Sequence, residues 1–509
     1  MNKKELTFFI CSFLFLLSLI PIIKFNLGGL DSYSHYFQSL HASKEPRLFF
    51  DSWGRPLFIT LSFPFTFFLK YFGLKLFNVI LGFLTAIITY STAKEMKLKK
   101  QKLGFFLTLL SPYLFWGMYS GLTDVLLGFF VILSFYLFII KKYKLSSLIL
   151  GLALLSRDEA LIVIVIFILV FILLKKWLAI FLPALPLILL KVLNKIFAPS
   201  YKWELGQSYV SYWKEMLLPR MIKVYIEKSD GSISYALRIT SQLLFNRLLV
   251  YIVKLIILVN PIIFFGSILG ASSILSQKWD LKNPKFIMVA IIGLSIITLM
   301  FFRITQFINA GATVRYFIFL TPFFVLLTLI GLEKQNKRWV IILSSLFLFL
   351  SIISVASIKV YWPFYIFIVI FLTYLFIPKK LFKRIFLLTL IVGSPLLLIM
   401  ETSSKNIDHD YDLGKEINTW LEEENLFEKE IWYSVNTIAL HRNLDCYDRN
   451  SKFKYFYTVS EAELKEMEIG TIIIYQIFYL TDGTRYLIQS GNFEIIKEFS
   501  NTKVYRKIA

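Results

Sequence analysis

The sequence predicts an all-α polytopic membrane protein of about thirteen transmembrane helices, followed by a small soluble α/β domain. Of its 509 residues, 57% are hydrophobic and 17% are charged, whereas an ordinary soluble domain has about 45–50% and about 25%. The apolar residues occur in blocks of about 16–22, and each block is long enough to cross a hydrocarbon core of about 30 Å. These observations exclude a soluble enzyme, a disordered protein, a disulfide scaffold and a single-pass anchor.

The apolar blocks divide residues 1–401, the predicted membrane domain, into successive spans. The run Leu57–Phe72 is not counted as a span, because it is short and contains Pro64; we expect it to lie on the membrane surface. The two shortest predicted spans, 145–157 and 160–174, are expected to form a helical hairpin whose tip, 156–159, reaches the outer face. The predicted spans are 6–23, 76–93, 104–119, 124–140, 145–157, 160–174, 177–194, 248–270, 286–302, 316–332, 339–356, 361–377 and 385–401.

The distribution of charge predicts the orientation in the membrane. The net charge of +22 divides into +27 over residues 1–401 and −5 over residues 402–509. With Leu57–Phe72 on the surface, all six lysine-rich gaps fall on one side, which the positive-inside rule identifies as cytoplasmic. The sequence therefore predicts a multi-pass cell-membrane protein with a cytoplasmic N-terminus, and no nucleic-acid partner. The six gaps are 94–102, 141–144, 175–176, 278–285, 334–338 and 379–384.

Four features are then expected on the outer face. They are a long first loop (24–75), the turn at Thr123-Asp124, an aromatic loop (195–247) and the extracytoplasmic domain (402–509). In that domain, helical spacing predicts a helix with an apolar face, and Ser460-x-x-Glu463 predicts a capping box. The apolar helix face comprises Leu413, Ile417, Trp420 and Leu421, and the predicted strands are 431–435, 453–459, 471–477 and 493–499.

Four carboxylates at this face are candidate catalytic groups. Asp31 follows the first span, where partial desolvation makes a carboxylate a better base; the alternative is a solvated acid that caps a helix over 32–40. Asp124 begins the fourth span, where N-capping alone also explains a carboxylate. Asp158 and Glu159 lie at the hairpin tip with Arg157, and adjacent residues on a helix point in different directions. The alternative for that pair is a polar hairpin tip in which Arg157 is paired to one of the two acids.

Arginines and first-loop residues complete the candidate site. Arg303 and Arg315 flank an outer loop, where an arginine binds phosphate bidentately or simply extends toward the interface. His35 and His41, with nearby acids, have no spacing typical of a metal site, so a non-ligand role is also open. No phosphate-binding P-loop, dinucleotide loop, zinc-protease helix or nucleophile elbow occurs in the sequence.

Five short motifs follow one another along the chain on the expected outer face. They are Gly29-Leu30-Asp31-Ser32-Tyr33, Trp53-Gly54-Arg55-Pro56-Leu57, Ser120-Gly121-Leu122-Thr123-Asp124, the stretch 151–159, and Arg315-Tyr316 with Pro322. In this order they resemble the motifs of the GT-C superfamily of membrane glycosyltransferases, which includes protein O-mannosyltransferases and lipid A aminoarabinose transferases. The Trp-Trp-Asp-Tyr-Gly sequence of oligosaccharyltransferase subunits is absent, and no clear Asp-x-Asp occurs in the first loop.

The resemblance implies an inverting transfer of a sugar from a polyprenyl- or dolichyl-phosphate donor to the hydroxyl of a lipid, glycan or protein acceptor. By analogy, Asp31 is the general base. Arg157, Arg315 and Arg303 are candidates to bind the donor phosphate, and a divalent cation such as Mg²⁺ or Mn²⁺ remains open as a cofactor. His35, Trp53 and Arg55 are expected to contact donor or acceptor, and loop 195–247 to order over the donor.

Two other function classes remain open from the sequence. A multi-pass transporter or lipid flippase commonly shows repeated halves and broken helices at the midplane, and neither is found in the sequence. A non-catalytic membrane platform, whose C-terminal domain binds a partner, is the third possibility.

Overall fold

Helices form the described part of residues 1–401 in the computed structural model. The structure describes residues 3–21, 29–51, 53–199, 256, 259–278, 280, 282–302, 312–334, 409–434, 438, 451–455, 460–476, 482–499 and 502–509. The helices of the first part are α1 (Lys3–Leu19), α2 (Gly29–His41), α3 (Pro56–Glu95), α4 (Gln101–Leu109), α5 (Pro112–Ser120), α6 (Asp124–Ile139), α7 (Tyr143–Ser156), α8 (Ala160–Leu173), α9 (Trp177–Phe181), α10 (Ala184–Phe197), α11 (Pro261–Leu275), α12 (Pro284–Phe302) and α13 (Thr321–Lys334).

Helix α6 is the centre of this part, and 12 of its 16 residues are buried. It packs against α3, α7 and a 3₁₀ segment, Ala312–Leu320, that precedes α13. Phe135 of α6 meets Phe323 of α13 with ring centroids 5.2 Å apart. Because α6 is surrounded by other helices, Asp124 at its first position is buried as well.

Helix α3 is broken at Lys70, which has φ 56° and ψ −141°. Its first segment, 56–69, buries polar side chains and exposes apolar ones. Ser62 and Thr66 face inward and share hydrogen bonds of 2.9 and 2.8 Å with Ser39 of α2, while Phe68 is 76% exposed. A short helix with a buried polar face and an outward apolar face fits a segment that borders lipid, so its predicted place on the membrane surface stays a prediction with added support.

The outward face of α8 is also apolar. Leu161, Val165, Leu169 and Ile172 recur at helical spacing, and each is more than 40% exposed. In the described residues, α3 and the segment Tyr316–Glu333 are long and apolar enough to cross a membrane, and six further apolar helices have 10–17 residues. A continuous apolar stripe on an outer surface marks a site of contact with a membrane or with another protein.

Three predicted spans need correction. The span 104–119 is interrupted before Pro112, where Ser111 is extended, because proline disfavours helical geometry in the preceding residue. The span 177–194 is two helices, α9 and α10, separated near Pro183. The span 248–270 is interrupted at Asn260, where α11 begins; the Asn260 side chain caps α11 by accepting from the N–H of Ile262 at 3.0 Å, and residues 248–255 lie outside the described residues.

The predicted span 316–332 agrees with the segment Tyr316–Glu333, which is long and apolar enough to cross a membrane; its first residues belong to the 3₁₀ segment Ala312–Leu320 and the rest to α13. Thr321-Pro322 marks the change, since proline fits the first turn of an α-helix. The predicted spans 339–356, 361–377 and 385–401 lie outside the described residues, so the expected number of thirteen is not confirmed. The spans over 124–140, 145–157, 160–174 and 286–302 agree with α6, α7, α8 and α12 within a few residues.

The C-terminal part is a small α/β unit, as predicted. Its helices are α14 (His409–Glu423), α15 (Glu461–Glu466) and α16 (Asp482–Gln489), and its strands are β1 (Ile431–Tyr433), β2 (Phe453–Tyr455), β3 (Ile472–Gln476), β4 (Phe493–Phe499) and β5 (Thr502–Lys507). The sheet order is β2-β1-β3-β5-β4, with β1 parallel to β2 and β3, and β5 antiparallel to β3 and β4. The capping box of Ser460 and Glu463 is confirmed at the start of α15. Strand β5 and helix α16 are the elements of this part that the sequence prediction missed.

Candidate functional site

A buried ion cluster forms where α7 ends and α8 begins. Arg157 follows α7 in an extended conformation, and Glu159 precedes α8. The guanidinium donates from Nε and Nη2 to the two carboxylate oxygens of Glu159, at 3.0 and 3.1 Å. Nη1 lies 2.9 Å from Oδ1 of Asp124. All three residues are buried, so one cation and two carboxylates meet in a site with little access to water.

Two further groups complete the surroundings of this guanidinium. Nη1 also donates to Oγ1 of Thr123 at 3.1 Å. The ring of Tyr316 lies 4.7 Å from the guanidinium carbon, in cation–π geometry. The cluster therefore joins the start of α6, the α7–α8 turn and the 3₁₀ segment, three parts of the chain that are distant in sequence.

The electrostatics of the cluster follow from this geometry. Arg157 uses four of its five N–H groups on Glu159, Asp124 and Thr123. Taking ionised groups out of water is costly unless they are paired and hydrogen-bonded, and here the pairing is extensive. With both carboxylates ionised, these three groups carry a net charge of −1, which opposes binding of a phosphate by Arg157 in this arrangement.

A second ion pair connects the first loop to the same turn. Nη1 of Arg55 donates to Oδ2 of Asp158 at 3.1 Å, and both side chains are mostly buried. Asp158 and Glu159 thus bind different arginines, which agrees with the expectation that adjacent residues point in different directions. Arg55 itself has φ 66°, a region in which non-glycine residues are uncommon, and such strain often marks a functional segment.

Asp31 lies in the first turn of α2 and is partly exposed. The next residue, Ser32, donates its hydroxyl to the carbonyl of Ser120, and its Oγ lies 3.0 Å from the hydroxyl of Tyr71. The start of α2 is therefore attached to the turn that leads to Asp124. The helix predicted over 32–40 is confirmed, and Asp31 is inside it and not at its cap.

Gly121 makes this close approach possible. It has φ 65°, and a Cβ built there would lie 2.5 Å from Oγ of Ser32 and 2.9 Å from Cδ2 of Leu74. Both the backbone conformation and the space favour glycine.

Replacing Gly121 with alanine is therefore expected to lower the stability of the membrane part by about 1–3 kcal/mol, measured as the melting temperature of the full chain in detergent. Gly293→Ala is the control, because nothing lies within 4 Å of a Cβ at that position. Equal melting temperatures for the two variants would show that the close approach of Ser32 to the turn does not contribute to stability.

Lys75 is a candidate that the sequence analysis missed. It lies one turn after Tyr71 in the second segment of α3, is 5% exposed, and places Nζ 5.4 Å from the Tyr71 ring centroid. Tyr71 in turn contacts Ser32, next to Asp31. A buried lysine beside apolar spans is a functional candidate by default. Its position at the end of the predicted first loop made it look solvated.

His35 and Trp53 come together in the first loop. Their rings are stacked with centroids 4.7 Å apart and an interplanar angle of 20°. His35 is buried, while Trp53 remains 48% exposed. His41 lies against Phe37 instead, with ring centroids 6.3 Å apart.

Not every predicted site residue is described. Arg303 and the aromatic loop 195–247, apart from 195–199, lie outside the described residues, and only the backbone of Arg315 is described. Among the side chains that are described, no group of three or more His, Cys, Asp or Glu fits a metal ion. The carboxylates of Asp124 and Glu159, which meet in one cluster, both bind Arg157. This part of the chain therefore does not fit the divalent cation left open by the sequence.

The fold is similar to that of ArnT from Cupriavidus metallidurans. The crystal structure of ArnT bound to undecaprenyl phosphate has a TM-score of 0.60 and 9% sequence identity, over 100% of this chain and 99% of that chain. The apo structure has a TM-score of 0.59 and 9% identity, over 99% and 97%. No family model and no curated protein matches the sequence. The fold expected from the motifs is thus supported by a likeness to ArnT along the whole chain.

Proposed function

We propose that this chain, with its GT-C fold, is an integral membrane glycosyltransferase that moves a sugar from a polyprenyl-phosphate donor to an acceptor hydroxyl at the outer face. The observation that carries the proposal is the attachment of Asp31, through Ser32, to the turn that ends in the buried Arg157 cluster. The ArnT structure with undecaprenyl phosphate supports this donor class.

The proposed reaction is a single displacement. The acceptor oxygen forms a bond to the anomeric carbon, and the bond from that carbon to the phosphate oxygen breaks. The phosphate leaves with the bonding electrons, and the acceptor proton passes to the carboxylate of Asp31. Attack opposite to the leaving group inverts the anomeric configuration. Asp31 suits this role because it is partly exposed at the start of α2, within reach of an entering hydroxyl.

The other three carboxylates suit a positioning role. Asp124 and Glu159 bind Arg157, and Asp158 binds Arg55. Each of these carboxylates already binds a guanidinium, and is therefore less accessible to an entering hydroxyl than the partly exposed Asp31. We assign these acids to holding the α6 start and the α7–α8 turn around the reacting groups.

The leaving phosphate needs a cation for stabilisation. Arg157 binds Asp124 and Glu159, and the buried Lys75, whose Nζ lies 5.4 Å from the Tyr71 ring centroid, is a further candidate. Arg315 precedes Tyr316, whose ring covers Arg157, and stays a second candidate with Arg303.

The test is transfer by the purified full chain in liposomes. Polyprenyl phosphates carrying a labelled hexose or a labelled pentose are supplied, with a polyprenyl diphosphate sugar for comparison. We expect label to leave the monophosphate lipid and appear on an acceptor, with release of one polyprenyl phosphate for each sugar moved. Movement of the intact labelled lipid between leaflets, with no transfer product, would instead identify a flippase.

A further inference from the structure

Three helices of the membrane part are followed by a lysine in the left-handed backbone region. Lys97 after α3, Lys141 after α6 and Lys175 after α8 have φ values of 55°, 62° and 55°, and all three side chains are exposed. Glycine is the usual residue at this position after a helix, because a Cβ is unfavourable there. The repeated occurrence of lysine indicates that a positive charge at these helix ends outweighs the backbone preference.

The ends of α6 and α8 lie close together. The ring centroid of Phe138, near the end of α6, is 5.5 Å from that of Tyr143 and 6.2 Å from that of Phe171, near the end of α8. Nζ of Lys176 lies 5.5 Å from the Tyr143 ring centroid. These contacts bring exposed lysines from two helix ends to one corner of the helical part. We call them the lysine cluster, which comprises Lys141, Lys142, Lys175 and Lys176.

The lysine cluster is remote from the acids of helices α6 to α10. Over residues 124–203 the acids of the sequence are Asp124, Asp158 and Glu159, and all three lie at the candidate site, at the far ends of α6, α7 and α8. Helix α7 has 14 residues, so it separates the two ends by about 20 Å. The lysine cluster is therefore distinct from the candidate site and belongs to the end that the charge pattern predicts to be cytoplasmic.

An exposed apolar surface begins directly beside the lysine cluster. It consists of side chains from the last turn of α8 and from α9, among which Trp177 and Phe181 are 62% and 71% exposed. Tryptophan is enriched where the hydrocarbon of a membrane meets the headgroups. A cationic cluster next to an apolar surface matches a phospholipid, whose phosphate and acyl chains need these two environments. The surface comprises Ile172, Leu173, Trp177, Leu178 and Phe181.

The charge of the cluster selects the class of lipid. An anionic headgroup is attracted by each lysine near it, and anionic lipids are concentrated in the cytoplasmic leaflet. We propose that the lysine cluster binds the headgroup phosphate of an anionic glycerophospholipid, whose acyl chains lie along the exposed residues of α8 and α9. This lipid site is independent of the proposed donor site, because the two lie at opposite ends of α7 and α8.

The experiment measures lipid binding to the purified full chain in detergent by native mass spectrometry. Phosphatidylglycerol and phosphatidylcholine with the same acyl chains are titrated separately. We expect tighter binding of phosphatidylglycerol, with a Kd that rises about 10- to 30-fold when Lys175→Gln and Lys176→Gln are combined. The Kd for phosphatidylcholine is expected to stay unchanged.

Lys94→Gln combined with Lys97→Gln is the matched control. These two exposed lysines lie at the end of α3, which packs against α6 and α7, and their loss removes the same charge from the same predicted face. We expect the control to bind phosphatidylglycerol with a Kd close to that of the wild type. An equal rise of the Kd in the two double variants would show that binding depends on overall charge, and the proposed site would be wrong.

Lys175→Gly separates lipid binding from helix capping. A cation also stabilises the last carbonyl groups of a helix, but glycine suits a φ of 55° better than lysine does. We therefore expect Lys175→Gly to melt at or above the wild-type temperature in detergent without phospholipid, while the Kd for phosphatidylglycerol rises about 5-fold. Unchanged affinity in this variant and in the double variant overturns the proposal, whatever the melting temperatures.

Fluorescence locates the bound lipid. Phosphatidylglycerol with brominated acyl chains quenches tryptophans that it touches, so the wild-type chain should lose a larger fraction of its fluorescence than Trp177→Phe. Equal quenching of the two chains would mean that the acyl chains lie away from α9, and the proposal would fail.

Undecaprenyl phosphate is the competing ligand, because it also carries a phosphate on an apolar chain. It is titrated against the same double variants. If it binds the wild-type chain more tightly than phosphatidylglycerol and loses affinity when Lys175 and Lys176 are replaced, the lysine cluster binds the carrier lipid and the proposal is contradicted. Sugar transfer is measured separately, so the proposed function stands or falls on its own test.

Discussion

Replacement of Asp31 by asparagine is expected to reduce sugar transfer by about 10²- to 10⁴-fold, the usual effect of removing a general base. The change keeps the size of the side chain but removes the group that accepts the acceptor proton. Asp31 is partly exposed, so we expect the fold to be preserved. The measurement is the initial rate of label transfer in liposomes, at saturating donor and acceptor.

Asp412→Asn is the matched control, since Asp412 is an exposed aspartate on α14 with no proposed role. That variant is expected to transfer sugar at the wild-type rate. Both variants should elute as single species and melt at the same temperature. A rate for Asp31→Asn within a few-fold of wild type would move the base to another residue, while leaving the proposed donor class intact.

The second large effect is expected on stability. Arg157→Ala removes the cation between two buried carboxylates, of which Asp124 is 3% exposed and Glu159 is 1% exposed. Breaking a buried ion pair by removing one partner costs about 3–5 kcal/mol. We therefore expect a much lower melting temperature and little monodisperse protein after extraction into detergent. Arg157→Lys keeps the charge but loses the bidentate hydrogen bonds to Glu159, so we expect an intermediate loss of stability.

A triple variant tests whether unpaired buried charges cause this loss of stability. Changing Arg157→Met, Asp124→Asn and Glu159→Gln together removes all three charges, and we expect it to recover most of the lost stability. Arg506→Ala is the surface control, because Arg506 and Glu494 form an exposed pair at 3.4 Å; its cost should be about 0–1 kcal/mol. Equal losses for Arg157→Ala and the triple variant would show that packing, and not charge, explains the effect.

Local signals explain which parts of the fold the sequence predicted correctly. Apolar blocks identified α6, α7, α8 and α12, and Ser460-x-x-Glu463 identified the start of α15. The Ser111-Pro112 and Asn260-Pro261 breaks are also local signals, but hydropathy averages over them. Strand β5 was missed because three of its six residues are charged; its pairing with both β3 and β4 outweighs that composition.

For the candidate site too, local sequence signals predicted some features, while contacts across the fold determined the others. The residue types and their order predicted Asp31, Asp124, Arg157 and Glu159 as candidates, and the structure joins three of them in one cluster. Which acid pairs with which arginine depends on contacts across the fold, such as that of Arg55 with Asp158, 103 residues later. Lys75 was missed because its burial comes from neighbouring helices and not from its sequence context.

The Arg157 cluster also constrains how this chain can diverge in evolution. Each single loss from a buried group of one arginine and two acids passes through a poorly folded intermediate. Positions 124, 157 and 159 should therefore covary among related sequences, so that a lineage without the arginine carries neutral residues at both acidic positions. A natural sequence with the two acids retained and an apolar residue in place of the arginine would need a substitute cation from elsewhere in the fold.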